Sequence, residues 1–196
     1  MHIMMRDDQA CDPPLLARLS QGDEAAFREL YSAYRARLYS FLLRLSSRPD
    51  LAEDFSQEVW LRLVERPPVL PEGMPLAPWL YRVARNLFIS YLRSRDYDTS
   101  RTAELTAIRL ERSKAPGPWE ELAGNETQRR LQVALAKLPL RYRECLLLAA
   151  GADLDSQQAA EVLDLTATAF RKRVSRAREM LAERMGLTIH FKQEEK

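Results

Sequence analysis

A chain of 196 residues has room for one ordinary domain or two small ones, and 46% hydrophobic with 30% charged residues allows a folded core, which excludes a large multidomain enzyme and a wholly disordered polymer. The 30 lysines and arginines against 28 aspartates and glutamates leave a net charge of only +2, so any nucleic-acid partner must be read from where the charges lie. The 11 prolines outnumber the 6 glycines and cluster at 67–78 and 116–118, as punctuation between elements, which argues against an all-β domain.

The opening "MHIMMRDDQACDPP" has no apolar signal core, and no stretch reaches the ~18 apolar residues of a bilayer span, which predicts a cytoplasmic chain without membrane insertion. Residues 15–98 read as a helical domain. After the Asp12-Pro13-Pro14 break, Phe27, Leu30, Tyr31, Tyr34, Leu38 and Leu42 recur at three and four residues along one long segment, with Arg28, Arg35, Arg37 and Arg44 on the other face. Ser46 to Pro49 breaks that helix, and Asp50 is placed to cap the next, "LAEDFSQEVWLRLVER", which has early acids and Arg66 at its end. The five prolines of "PPVLPEGMPLAP" predict an ordered loop without regular structure. A third helix is expected from about Pro78 to Arg95, with Leu80, Val83, Ala84, Leu87 and Tyr91 as its core stripe and Arg82, Arg85, Asn86 and Arg93 opposite. From Asp96 to about Thr127 the apolar period weakens, and "SKAPGPWEELAGNET" supplies residues of a linker placed at 99–127, although "TAELTAIRLERS" has the pattern of a short helix. A second domain, 128–186, holds four short helical patterns, and Gly186 is placed to stop the last. The fold class is therefore all-α, with two small helical domains joined by a flexible linker.

The pair of helices meeting at Asp164 has a helix-turn-helix pattern: Asp155 or Ser156 caps the first, Asp164-Leu165 turns, and Thr166 caps the second. At 100° per residue, Phe170, Val174, Ala177 and Leu181 form an inner stripe. Thr168, Lys172, Ser175 and Glu179 then face outward with Arg171 and Arg176 beside them, a row suited to a DNA major groove, where arginine pairs bidentately with guanine. Arg173 and Arg178 lean back toward the body and are assigned to phosphates or ion pairs.

"WLYRVARNLFISYLRSR" offers a second surface, since aromatic rings stack on unpaired bases while arginines follow phosphates. Trp79 and Tyr81 stand at the mouth of the proline-rich loop, where an unstacked base could be held. Glu53, Asp54, Gln57 and Glu58 lie on an acidic helix that suits a basic protein partner better than DNA. The remaining inventory points away from catalysis. His2 and His190 lie near the termini, and phosphate-loop, GxSxG and HExxH patterns are missing. Cys11 and Cys145 lack CxxC spacing, so Cys145 is expected simply to fill core. No catalytic residue, metal or cofactor is implied.

"DLAEDFSQEVWLRLVERP" followed by "PWLYRVARNLFISYLRSR" resembles the second region of bacterial RNA polymerase sigma factors, and "LAKLPLRYRECLLLAAGADLDSQQAAEVLDLTATAFRKRVSRAREML" resembles their fourth. Order, linker and length are similar to the extracytoplasmic-function (ECF) group, over residues 15–185. The resemblance implies a region 2-like bundle for core polymerase binding and promoter melting, and a region 4-like helix-turn-helix bundle. It implies that Asp54, Gln57, Glu58 and Leu61 dock on the β′ clamp of core RNA polymerase. The loop 64–78 with Trp79, Arg82, Arg85 and Asn86 would capture the melted non-template strand. Arg171, Lys172, Ser175 and Arg176 would read the upstream duplex element, and an anti-sigma factor becomes an expected partner. Ser90 stands where relatives often carry an acid, Asp164 where the turn glycine is common, and "TATAF" replaces a more usual small-residue start to the recognition helix. A stand-alone helix-turn-helix regulator, dimeric on palindromic half-sites, and a basic RNA-binding protein without sequence choice are the alternatives. Neither accounts for an acidic helix directly preceding an aromatic-basic one.

Overall fold

A computed structural model describes residues 12–71, 73–99 and 126–186. Among these the chain forms helices only: α1 (Asp12–Ser20), α2 (Glu24–Ser46), α3 (Pro49–Glu65), α4 (Ala77–Thr99), α5 (Glu126–Ala136), α6 (Leu140–Gly151), α7 (Ser156–Val162) and α8 (Ala167–Arg184). No helix among the described residues is long and apolar enough to cross a membrane. The short helix expected within 102–113, Cys11 and both histidines lie outside the described residues.

The single segment expected from residue 15 divides into α1 and α2. Gly22 adopts φ 83°, its N–H bonds the Leu19 carbonyl at 2.9 Å and the Asp23 N–H returns to Arg18 at 3.2 Å, so α1 ends in a left-handed cap that glycine takes without a Cβ clash. Asp23 then starts α2, its carboxylate accepting from the Ala25 N–H at 2.8 Å. The α2 stripe is buried at Leu30, Tyr34, Leu38 and Leu42, joined by Ala26, Phe41 and Leu45. Tyr31, by contrast, is 39% exposed and lies against Trp60 at 5.0 Å between ring centroids.

Two expectations for the next helices are corrected. The α3 N-cap is Arg48 rather than Asp50, because Pro49, whose ring fixes a helical φ and needs no donor, occupies the first turn. The Asp50 carboxylate instead pairs with the Arg48 guanidinium. In α4 the buried stripe is Ala77, Leu80, Tyr81, Ala84 and Phe88, rotated from the expected one, whose Val83, Leu87 and Tyr91 are only half-buried. Tyr81, 2% exposed, meets Phe41 of α2 edge-to-face at 5.1 Å and so is core, not a platform for a base.

The four C-terminal helices form as expected, with Phe170, Val174 and Ala177 buried on α8 and Leu181 half-buried. Cys145 is fully buried, and burial pushes its thiol up to about 11, against the opposing influence of Arg173. It packs as a small apolar side chain. One contiguous buried cluster runs through both sets of helices, since α2 packs against α5 and α6 as well as α1, α3 and α4, while α7 packs against α4.

Candidate nucleic-acid and partner interfaces

The α7–α8 unit is held by local hydrogen bonds at each corner. Asp155 accepts from the Gln157 and Gln158 N–H groups at 2.7 and 2.8 Å, and its own N–H donates to the Gln158 side chain at 3.1 Å, completing a capping box. Asp164 takes φ 55°, while the Leu165 and Asp164 N–H groups bond the Ala160 and Glu161 carbonyls at 2.9 and 3.2 Å, the paired closure of a left-handed helix stop. Aspartate tolerates this conformation better than most side chains. Thr166 then caps α8 through the Ala169 N–H at 3.1 Å.

That turn leaves Thr168, Arg171, Lys172, Ser175, Arg176 and Glu179 exposed on α8. Arg176 donates to Glu179 at 2.8 Å, an exposed pair that costs little to exchange for a base or phosphate. Arg173 is half-buried, and its charge is felt by Glu144 and Cys145, whereas Arg178 is exposed. An electrostatically favourable, groove-width helix face is therefore present for duplex DNA.

On α3, Asp54, Gln57, Glu58 and Leu61 fall at spacings of three and four and share one face. Asp54 and Gln57 are exposed, and Glu58 is half-buried and accepts from Arg62 at 2.7 Å. Leu61 is 56% and Val64 50% exposed, so acidic groups border an apolar edge, a combination suited to a protein partner with basic and apolar side chains. The following loop also leaves Val69 and Met74 exposed.

The strand-capture candidates of α4 do not share one environment. Trp79 is half-buried against the core, and Asn86 is exposed. Arg82 and Arg85 reach instead to the C-terminal helices. Arg82 donates to the Glu161 carbonyl and lies 3.5 Å from the Asp164 carboxylate. Arg85 donates to Glu144 at 2.9 Å, with side chains 21% and 6% exposed. Burial pushes the Glu144 carboxyl above its ordinary range, and Arg85 draws it back. Further along the same seam Arg37 pairs with Asp153, and Arg143 donates to the Leu45 carbonyl at 2.9 Å, one of the carbonyls left open at the end of α2. Burial lowers the Arg143 guanidinium, opposed by Glu144. Sequence reasoning placed Arg37 on a polar face without its pairing to Asp153 and missed Arg143, Glu144 and Asp153. The one available sign was Glu144 itself, a carboxylate directly preceding the apolar run Cys145 to Leu148. Among the described residues no group of three or more His, Cys, Asp or Glu side chains could hold a metal ion.

Comparison with known proteins places these surfaces in context. Residues 30–97 match the family model for sigma-70 region 2, and residues 128–181 match that for sigma-70 region 4. The chain is 31% identical over 145 residues to the ECF RNA polymerase sigma factor EcfG of Rhodopseudomonas palustris, covering 74% of this chain and 77% of that one. It is 24% identical over 176 residues to the ECF RNA polymerase sigma factor SigW of Bacillus subtilis, covering 87% and 94%. To the probable RNA polymerase sigma factor RfaY of Xanthomonas campestris it is 32% identical over 164 residues, 83% of this chain, and spans 41% of that relative's length. Its fold is shared with the sigma factor RpoE of Bartonella quintana, solved in complex with the anti-sigma factor NepR, at a TM-score of 0.70 and 23% identity, over 83% of this chain and 98% of that one.

Proposed function

The chain belongs to the ECF RNA polymerase sigma factors, and from that premise we propose which of its side chains carry each step of promoter recognition and opening. A sigma factor brings core RNA polymerase to promoters, and the family is not catalytic in itself: the polymerase does the chemistry. The stand-alone regulator considered from the sequence finds no support beside paired region 2 and region 4 matches.

Asp54, Gln57, Glu58 and Leu61 dock on the β′ clamp, joining charge complementarity to an apolar contact. Trp79, Arg82, Arg85 and Asn86 hold the melted non-template strand, with Trp79 beside the base and the arginines on phosphates. Arg171, Lys172, Ser175 and Arg176 read the upstream duplex element, and Arg173 supports the helix against its backbone. Residues 15–98 and 128–186 act as the two functional domains, joined through 99–127. The protein works in the cytoplasm, where an anti-sigma factor restrains it.

The observation that carries this reading is the α8 face itself. A buried stripe anchors the helix behind a capped turn, and an uninterrupted polar and cationic row remains exposed. Run-off transcription with the purified chain, core polymerase and a fragmented genomic library tests it. Discrete new start sites that require the chain are expected, and the fragments reveal the promoter sequence. Protection of palindromic duplexes by the chain alone, without polymerase complex formation, would overturn it in favour of a dimeric regulator.

A further inference from the structure

A cavity of about 540 Å³ opens between α5 and the end of α8, and the assigned DNA residues Arg171, Lys172, Ser175 and Arg176 take no part in its walls. Arg129, Arg130, Lys137 and Arg184 line it, and its lining holds no aspartate or glutamate. Val133, 51% exposed, and Met185 supply apolar wall beside these cations. We propose that the cavity binds a purine nucleoside triphosphate: Arg129 and Arg130 take the phosphates, Val133 and Met185 carry the base, and Lys137 and Arg184 meet the far edge of the purine.

The placement of the charges separates this cavity from an ordinary solvated face. A cation at the end of a helix is favoured by the helix dipole, which accounts for Arg184 in the last turn of α8 and Lys137 just past α5. Arg129 and Arg130 lie near the start of α5, where they oppose that dipole and share one opening with two further cations, an arrangement that a bound anion relieves. From Arg130 to Lys137 is about two turns, or about 10 Å of helix axis, so positive groups stand toward both ends with Val133 between them. A small inorganic anion reaches one end alone. A nucleotide presents phosphates, then an apolar ring face, then the N7 acceptor of a purine and, in guanine, O6 beside it, which arginine and lysine recognise. The volume falls within the usual range of about 300 to 1,000 Å³ for small-ligand sites. Arg184 donates to the Met180 carbonyl at 3.2 Å, which restrains its planar fork.

The site is tested by isothermal titration of the full-length free chain at about 0.15 M salt, where weak attraction to scattered exposed charges is screened. The probes are GTP, inorganic tripolyphosphate and guanosine. GTP is expected to bind at one site, and at least about tenfold more tightly than either part alone, since a single purine-edge contact is worth that much. Arg129→Gln with Arg130→Gln should weaken GTP at least about tenfold by removing both charge-assisted phosphate contacts. Val133→Asp changes a side chain exposed enough to spare the core and should abolish binding, because it sets a carboxylate in the middle of the cavity. Both variants should keep the parent's melting midpoint by circular dichroism, so that a loss of binding reports on the site. No binding of GTP, or tripolyphosphate bound as tightly as GTP, would overturn the proposal. Undiminished GTP affinity in the Val133→Asp variant would overturn it too. So would loss of GTP binding in Arg171→Gln with Lys172→Gln, which would put the nucleotide on the α8 face as a stand-in for DNA phosphate.

Discussion

Asp23 joins two helices through one carboxylate, accepting from the Arg18 guanidinium at 2.8 Å and from the Ala25 and Ala26 N–H groups at 2.8 and 3.3 Å. Arg18 first, and the Ala26 N–H next, hold its carboxyl below the ordinary value of 3.8. A depressed native value means that the charged form is favoured in the folded state. The stabilisation is therefore present above that ordinary value and is lost as pH falls through the native one. Asp23→Asn keeps an oxygen to cap α2 but removes the charge, so its urea midpoint should fall less steeply on the acid side than the parent's. Equal slopes would show that the Arg18 pairing does not survive in solution. Arg176 makes the corresponding case for DNA. Its pairing with Glu179 leaves it 64% exposed, so Arg176→Ala removes no core contact. It should cost about 1 to 3 kcal/mol of discrimination at one base pair of the upstream element. Polymerase affinity should be unchanged in a pull-down, and its loss in a folded variant would contradict the assignment.

At the level of whole helices, periodicity was most informative where a single stripe was long enough to exclude its neighbours. Leu30, Tyr34, Leu38 and Leu42 could be read from spacing alone, as could the inner residues of α8, because polar side chains fill the opposite face. In α4 apolar residues occur on two adjacent faces, and a 100° step fits either. The choice is made by Phe41 of α2, which draws Tyr81 inward, and tertiary packing of that kind leaves no local signal. Punctuation can also hide inside a repeat: Gly22 and Asp23 carry both a helix stop and a helix start, yet the apolar repeat runs through them. Pro49 displaced Asp50 as the start of α3 for a comparably local reason. The inward Tyr81 gives a direct test. Tyr81→Ala should lower unfolding free energy by about 3 to 5 kcal/mol, the range for removing a buried aromatic side chain, seen as a large drop in the thermal midpoint by circular dichroism. An unchanged midpoint with weakened single-strand binding would return Tyr81 to the base-holding surface.

Across the whole molecule the near-neutral charge conceals an uneven distribution between helices. Acidic groups beside Leu61 and Val64 mark α3, while α8 presents arginines and a lysine in a row, and both surfaces were legible because each is written along one helix. The seam between them was not, since Arg85 and Glu144 or Arg37 and Asp153 are far apart in sequence and meet only through the packing of α2 and α4 on the C-terminal helices. The two exposed surfaces should therefore fail independently. Asp54→Lys combined with Leu61→Ala reverses a charge and truncates a side chain that is 56% exposed, so folding should be retained; Glu58 is left in place because it pairs with Arg62 at 2.7 Å. Core polymerase affinity should fall at least about tenfold, equivalent to about 1.4 kcal/mol, since the exchange opposes the clamp electrostatically and removes its apolar contact. The promoters selected at saturating polymerase should be the same. A shift in promoter choice at undiminished polymerase affinity would instead mean that α3 reads DNA and that the partner surface lies elsewhere.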